Sequence, residues 1–179
     1  METYISLLRG INVSGKNKIN MADLKALYES MGFLQVQTYL QSGNVVFQTQ
    51  NAQNEVLEKS IEAKIAQQME LNITVIIRNG FDIMEILERN PFLTSSSDEV
   101  MDKLYVTFLS EEPNEVAVSK LKDTQSGLDT FIQFGKEIYV FCPTGYGRTK
   151  LTTNFFETKL NLKATSRSWR TVSALKQRV

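Results

Sequence analysis

A chain of 179 residues, 42% hydrophobic and 22% charged, has the make-up of an ordinary globular protein of one large domain or two small ones. It has no histidine and a single cysteine, Cys142, which excludes Ser-His-Asp triads, Cys-His pairs, internal disulfides and zinc sites built on His or thiolates. Lys plus Arg balance Asp plus Glu at 20 each, but unevenly: residues 145–179 hold eight cations against Glu157 alone, residues 1–20 hold Arg9, Lys16 and Lys18 against Glu2, and the middle is acidic.

The run from Thr3 to Arg9 predicts a strand. Asn20, followed by Asp23, marks a helix N-terminus, with Met21, Leu24, Leu27 and Met31 at helical spacing and Gly32 as the stop. Leu34–Gln41 and Val45–Thr49 flank Ser42-Gly43-Asn44 and predict a hairpin. After Asn51, Leu57, Ile61, Ile65 and Met69 recur on one helical face, and Ile73–Arg78 predicts a further strand. The order strand, helix, strand, strand, helix, strand is that of a ferredoxin-like unit. Residues 80–90 predict a connecting helix stopped at Asn90-Pro91, and Thr94-Ser95-Ser96-Ser97-Asp98 is the most linker-like stretch.

The order then begins again. Lys103–Leu109 predicts a strand and Pro113–Lys122 a helix with proline at its start. Thr130–Phe134 and Glu137–Cys142 predict a hairpin about Gly135-Lys136. Lys150–Leu160 predicts a helix with Leu151, Phe155 and Leu160 inward, Ala164–Ser168 a last extended piece, and Thr171 the cap of a final helix. The expected architecture is α+β: two ferredoxin-like (βαββαβ) units in tandem, with antiparallel sheets and helices on one face. The first unit is 1–79, a connecting helix and linker 80–102, and the second unit with a C-terminal helix 103–179. Runs such as Ile5-Ser6-Leu7-Leu8 and Val75-Ile76-Ile77 are apolar on both faces, which predicts sheets covered on both sides.

Three segments combine glycine with positive charge. The first is Leu7-Leu8-Arg9-Gly10-Ile11-Asn12-Val13-Ser14-Gly15-Lys16-Asn17-Lys18-Ile19-Asn20. Its G-x-x-x-x-G-K spacing is that of a phosphate-binding loop, but Asn17 stands where a magnesium-holding hydroxyl belongs. The apolar strand that should end in a metal-binding carboxylate ends in Arg78. Three readings stay open: a true phosphate-binding loop, against which both departures count; a non-hydrolytic anion site built on Arg9, Asn12, Gly15, Lys16 and Lys18; or a surface connection whose glycines only turn the chain. The second segment, Pro143 to Lys150, predicts a strand-to-helix connection in which Gly145 and Gly147 permit close approach and Arg148 and Lys150 supply charge. The third sets Arg167 and Arg170 about Trp169, the sole tryptophan. That trio could stack a ring and pair a phosphate, or Trp169 could anchor the last helix in the core. Within one unit, Ser42-Gly43-Asn44 is expected at the sheet end opposite Arg9–Lys18.

The run from Leu7 to Ile19 resembles the opening signature of the bacterial family known as domain of unknown function 1697. Further likenesses lie at Gly32-Phe33, Thr38–Phe47, Asn90-Pro91-Phe92, Val106–Leu109, Gly147–Leu151 and Ala164–Val172. Ser14 stands where a glycine is common and Leu40 where an isoleucine is common. The resemblance implies a duplicated ferredoxin-like fold and no activity.

These readings converge on a protein that binds a phosphate-bearing or other anionic small molecule at Gly-rich basic loops between its two halves. No cofactor and no metal are expected. One alternative is an RNA-binding module, for which Gly135-Lys136-Glu137-Ile138-Tyr139-Val140-Phe141 offers a faint aromatic pattern. Another is a histidine-free enzyme on a phosphorylated metabolite, with Asp23, Glu137, Tyr139 and Lys16 available but no pair singled out. No apolar run reaches the ~20 residues of a membrane span. Met1-Glu2-Thr3 opens without a basic signal region, and a lone cysteine suits a reducing compartment, so a cytoplasmic location is expected. Oligomeric state is not legible.

Overall fold

The computed structural model describes residues 1–93, 98–123 and 127–179. Thr94–Ser97 of the expected linker therefore lie outside the described residues. The chain divides into two compact units, Met1–Met84 with Leu175–Val179, and Glu85–Ala174. The last five residues thus group with the first unit rather than with the segment that precedes them.

The first unit runs β1 (Glu2–Leu8), α1 (Met21–Ser30), β2 (Leu34–Tyr39), β3 (Asn44–Thr49), α2 (Asn54–Met69) and β4 (Val75–Asn79), followed by α3 (Gly80–Glu88). Its sheet has the order β2-β3-β1-β4, with every neighbour antiparallel. After α4 (Asp98–Met101) the second unit runs β5 (Leu104–Leu109), α5 (Glu115–Asp123), β6 (Thr130–Phe134), β7 (Glu137–Phe141), a 3-10 turn (Tyr146–Arg148), α6 (Thr153–Leu160) and β8 (Ala164–Ser168). Its sheet order is β6-β7-β5-β8, again antiparallel throughout. α7 (Trp169–Lys176) follows without a break. The chain is an α+β protein with two four-stranded antiparallel sheets and, among the described residues, seven helices.

Each core follows from the two-residue period of its strands. In the first unit Tyr4, Leu8, Val45, Phe47, Val75 and Ile77 face Leu24, Leu27, Tyr28 of α1 and Leu57, Ile61, Ile65 of α2. Phe33 stacks on Phe47 at 4.4 Å between centroids, and Tyr28 meets Phe47 edge-on at 5.4 Å. The Tyr28 hydroxyl is 2.6 Å from Ser6 Oγ, and burial holds that phenol protonated far above its ordinary range. In the second unit Leu109, Ile138, Val140 and Ala164 face Val118 and Leu121 of α5 and Phe156 and Leu160 of α6. The alternate residues of the same strands, Ile5, Leu7, Val46 and Ile76 in one sheet and Val106, Phe108 and Tyr139 in the other, are buried as well.

Helix starts depend on single side chains. Asn20 Oδ1 accepts from the amides of Ala22 and Asp23, as its cap position predicts. Two expectations are corrected. α6 begins at Thr153, because Thr152 Oγ1 accepts from the Phe155 amide and leaves Lys150 and Leu151 outside the helix; its fully buried ring is Phe156, with Phe155 only partly covered. The cap of α7 is Ser168, whose Oγ accepts from the Thr171 amide at 3.3 Å, so Thr171 is inside the helix.

The two units repeat more than their topology. Leu8 pairs with Val75, and Leu109 with Ala164. Counting from those pairs, Arg78 and Arg167 hold the same place, both are buried, and each donates Nη1 to the carbonyl of the residue before it. The outer strand is also sealed alike. Glu62 Oε1 accepts from the Val75 amide at 2.8 Å and Glu157 Oε1 from the Ala164 amide at 3.0 Å. Carboxylates from the covering helices therefore occupy donors that an edge strand would leave open.

Candidate functional site

The segment between β1 and α1, residues 9–20, is a small braced hairpin. Lys16 donates its amide to the Val13 carbonyl at 2.9 Å, and Val13 and Lys16 form a bridge. Ser14 and Gly15 between them have φ of 50° and 75°. Two successive positive φ values define a type I′ turn, the tight hairpin turn whose twist matches its flanking strands. Asn12 braces the base. Its Nδ2 donates to the carbonyls of Ile19 and Gln41, and its Oδ1 accepts from the Ile19 amide, all within 3.0 Å. Asn17 Nδ2 donates to Gly10 O at 3.1 Å. Asn12 is thus committed to holding the loop, with no capacity left for a ligand beyond one carbonyl lone pair.

This geometry departs from a phosphate-binding loop. There the lysine sits at a helix N-terminus and glycine amides converge on the phosphate. Here Lys16 closes the turn at Ser14-Gly15, and α1 starts only at Met21. Residues 13–18 are exposed while Ile11 and Ile19 at the base are buried. The finger stands on an apolar foot and projects Lys16 and Lys18. Among the described residues neither lysine has a carboxylate partner. A groove of about 420 Å³ opens at its foot, lined by Lys18, Asn20 and Asp23 and by Leu27, Gln68 and Met69 of the two helices. That volume is within the range of small-molecule sites.

The β2–β3 turn lies at the same end of the sheet as this finger, which corrects the expectation that they are apart. β1 and β2 are both antiparallel to β3 and so run in the same direction. The end of β1 and the end of β2 therefore come out together. Leu8 donates its amide to Gly43 O at 2.8 Å, Asn12 reaches Gln41 O, and Arg9 donates its amide to Thr74 O at 2.9 Å. A side chain at Gly43 would meet Ile11 Cδ1 at 2.6 Å and Leu8 Cβ at 2.9 Å. Gly43 is the contact that seats the finger on the sheet. Ser42 is packed with Asn44, whose Nδ2 donates to Ser42 Oγ and Tyr39 O.

The second candidate segment, Pro143 to Lys150, does not lead directly into a helix. Gly145, with φ of 95°, donates its amide to Cys142 O, Arg148 to Gly145 O and Thr149 to Tyr146 O. These amides serve the loop's own turn, and the N-terminus of α6 lies beyond Thr152. Gly147 makes room for nothing in contact. Arg148 and Lys150 are exposed and have no carboxylate partner among the described residues. Tyr146 stacks on Tyr105 at 4.3 Å. Cys142 lies buried just past the end of β7, and burial pushes its thiol up.

The three C-terminal candidates are not brought together as one surface. Trp169 is 3% exposed and Arg167 is 7% exposed; burial is the main cause that lowers the Arg167 guanidinium to about 10. Arg170 is exposed but pairs with Asp102 and lies 3.8 Å from Asp98, and that pairing holds the Asp102 carboxyl below its usual range. Arg178 sits over the Tyr39 ring at 4.3 Å from its centroid. Three of the eight C-terminal cations are thus buried or partnered. The aromatic pattern near Gly135 offers no open platform either: Tyr139 is 1% exposed and donates its hydroxyl to Ile86 O at 2.9 Å.

Sequence reasoning missed the carboxylates of α2. Glu58 accepts from the Ile77 amide at 2.8 Å. Burial raises its pKa, against the lowering effects of that amide and of Arg78. The i, i+4 spacing of Glu58 and Glu62 beside an outer strand was the available signal, but it reads as an exposed helix face until the strand order is known.

The family model described as "Protein of unknown function (DUF1697)" matches residues 1–139. The chain belongs to that family. A solved structure, that of the conserved bacterial protein SP0830 from Streptococcus pneumoniae, superposes with a TM-score of 0.76 at 24% identity, covering 99% of this chain and 98% of the other. That likeness speaks for the fold alone. No curated protein matches the chain. No described helix is long and apolar enough to cross a membrane.

Proposed function

We propose that this protein binds a small anionic ligand, a phosphate-bearing one first, at the β1–α1 finger and the groove at its foot. The observation that carries the reading is the pairing of rigidity with uncompensated charge. A loop held by three bonds to one asparagine and a type I′ turn presents Lys16 and Lys18 without a carboxylate partner among the described residues. Holding long cationic side chains on a fixed backbone lowers the ordering cost of binding. Asp23 on the groove wall suits a ligand that also carries a hydroxyl or amine. Arg148 and Lys150 offer a second, separate pair of cations of the same kind. The strand orders support reading each unit as ferredoxin-like, and the reducing-compartment composition supports a cytoplasmic protein.

The test is a thermal-shift screen with inorganic phosphate, nucleotides, sugar phosphates and short RNA at low and high salt. A ligand at a hundred times its Kd should stabilise the fold by about 2.7 kcal/mol. The double variant Lys16→Glu/Lys18→Glu should unfold within about 0.5 kcal/mol of the parent, because both side chains are exposed, and should bind at least about tenfold more weakly. A parent protein that responds to nothing in the panel, or a double variant that binds unchanged, ends this reading. A response to RNA alone that vanishes with salt would move the site to the class of nucleic-acid surfaces.

A further inference from the structure

Four strands form the outer edges of the two sheets, and three of them are guarded. On β4, Glu62 and Glu58 occupy the amides of Val75 and Ile77. On β8, Glu157 occupies the amide of Ala164. β2 breaks its own register between Leu34 and Gln37, with Gln35 at φ of 50°, a bulge of the kind that spoils an edge for pairing. β6 has none of these devices. All five of its residues keep register with β7. Its sequence, Thr-Phe-Ile-Gln-Phe, has no charge and no proline. Ile132 is 36% exposed and Phe134 is 45% exposed on the side opposite the helix-facing Phe131.

The turn fixes which backbone groups β6 leaves open. Phe134 and Glu137 flank the two-residue loop Gly135-Lys136, with Gly135 at φ of 53°. In a two-residue hairpin the flanking pair exchanges both hydrogen bonds, and bonded pairs then alternate along the ladder. Phe134, Ile132 and Thr130 therefore turn their amides and carbonyls toward β7. Phe131 and Gln133 turn theirs outward, and neither finds a partner there among the described residues.

We propose that β6 pairs with β6 of a second copy of this chain, antiparallel and about a twofold axis at Ile132. In that register Phe131 of one copy and Gln133 of the other exchange both their amide–carbonyl bonds, and symmetry makes four such bonds. Ile132 faces Ile132 as a close, non-bonded pair, and each Phe134 lies beside Thr130 and diagonal to Ile132 of the other copy. The exposed apolar strip matches itself, and two four-stranded sheets become one of eight. The self-complementarity selects a second copy over an unrelated extended peptide.

Sedimentation of the full chain across a concentration series should give twice the 20.4 kDa monomer mass. Ile132→Lys sets two like charges opposite each other and should weaken the dimer at least about a hundredfold, with the far-ultraviolet spectrum unchanged. Ile132→Cys keeps the strand apolar and should cross-link on mild oxidation. Gln133→Cys should not, because its symmetry mate lies beyond the ~7 Å limit for a disulfide. The native Cys142 is buried and does not interfere. A parent chain that stays monomeric, a dimer indifferent to Ile132→Lys, or an Ile132→Cys chain that does not cross-link overturns the proposal. The cysteine pair decides the matter if the lysine variant does not fold.

Discussion

The loop that follows the first strand is built twice in this molecule, with the same anchors and opposite character. In one unit Leu8 donates to Gly43 O and Arg9 to Thr74 O; in the other Leu109 donates to Lys136 O and Ser110 to Lys163 O. Between strand and helix the first loop spans residues 9–20 and the second only residues 110–114. The short loop carries Glu111 and Glu112, both exposed. The long one carries Lys16 and Lys18 on a braced hairpin. Five residues are therefore enough to close this connection, and the extra length and charge of the first loop are not demanded by the fold. That difference is what makes the finger a candidate for binding rather than a connection.

The comparison can be broken most sharply at Gly43 and its counterpart Lys136. Gly43→Ala would force a side chain onto Ile11 and Leu8 at a φ of 76°, and should cost about 2–4 kcal/mol in urea unfolding. Lys136→Ala should change stability by less than about 0.5 kcal/mol, since that position already holds a side chain. Asn12→Ala removes the three bonds of the brace and should cost about 2 kcal/mol. Hydrogen exchange should quicken at the Ile19 amide, which donates to Asn12 Oδ1, and at the backbone amide of residue 12, which donates to Asn17 O, while Ser110 in the short loop stays unchanged.

A smaller difference separates the edge seals. Burial raises the Glu58 pKa in the folded chain, whereas its counterpart in the second unit is Thr153, which has no charge to lose. The folded state then holds a proton above pH 4.5 that the unfolded chain has released, so this group's contribution to stability falls as pH rises through that window. Glu58→Gln should flatten that slope in a pH series of denaturation midpoints, and Thr153→Ser should not. The smallest effect is expected at Ser14, a non-glycine residue at φ of 50°. Ser14→Gly should stabilise by about 0.5 kcal/mol, with the relief of left-handed strain partly offset by chain entropy.

Local order was written in the chain because it depends on near neighbours. The alternation of Glu137 to Phe141, the cap at Asn20, the turn at Gly135-Lys136 and the repeated strand–helix order all report interactions a few residues apart. The positions of Arg9, Lys16 and Lys18 in a loop after β1 follow from the same signals. The sequence also displayed the charge excess of residues 145–179, but not its fate. Arg170 pairs with Asp102, sixty-eight residues away, and no local pattern encodes that. Arg167 is buried on the β8 face opposite Ala164, and Trp169 is buried where α7 begins; strand parity alone leaves both outcomes open. Asn12 reads as a polar loop residue until Gln41, from another turn, receives its bond. The meeting of the finger with the β2–β3 turn required the relative direction of β1 and β2, which only the pairing of both with β3 decides. The guarded and unguarded edges exist only once four strands have found their order. Short-range chemistry determined the elements of this protein; long-range pairing decided which of its charges and backbone groups remain available to a partner.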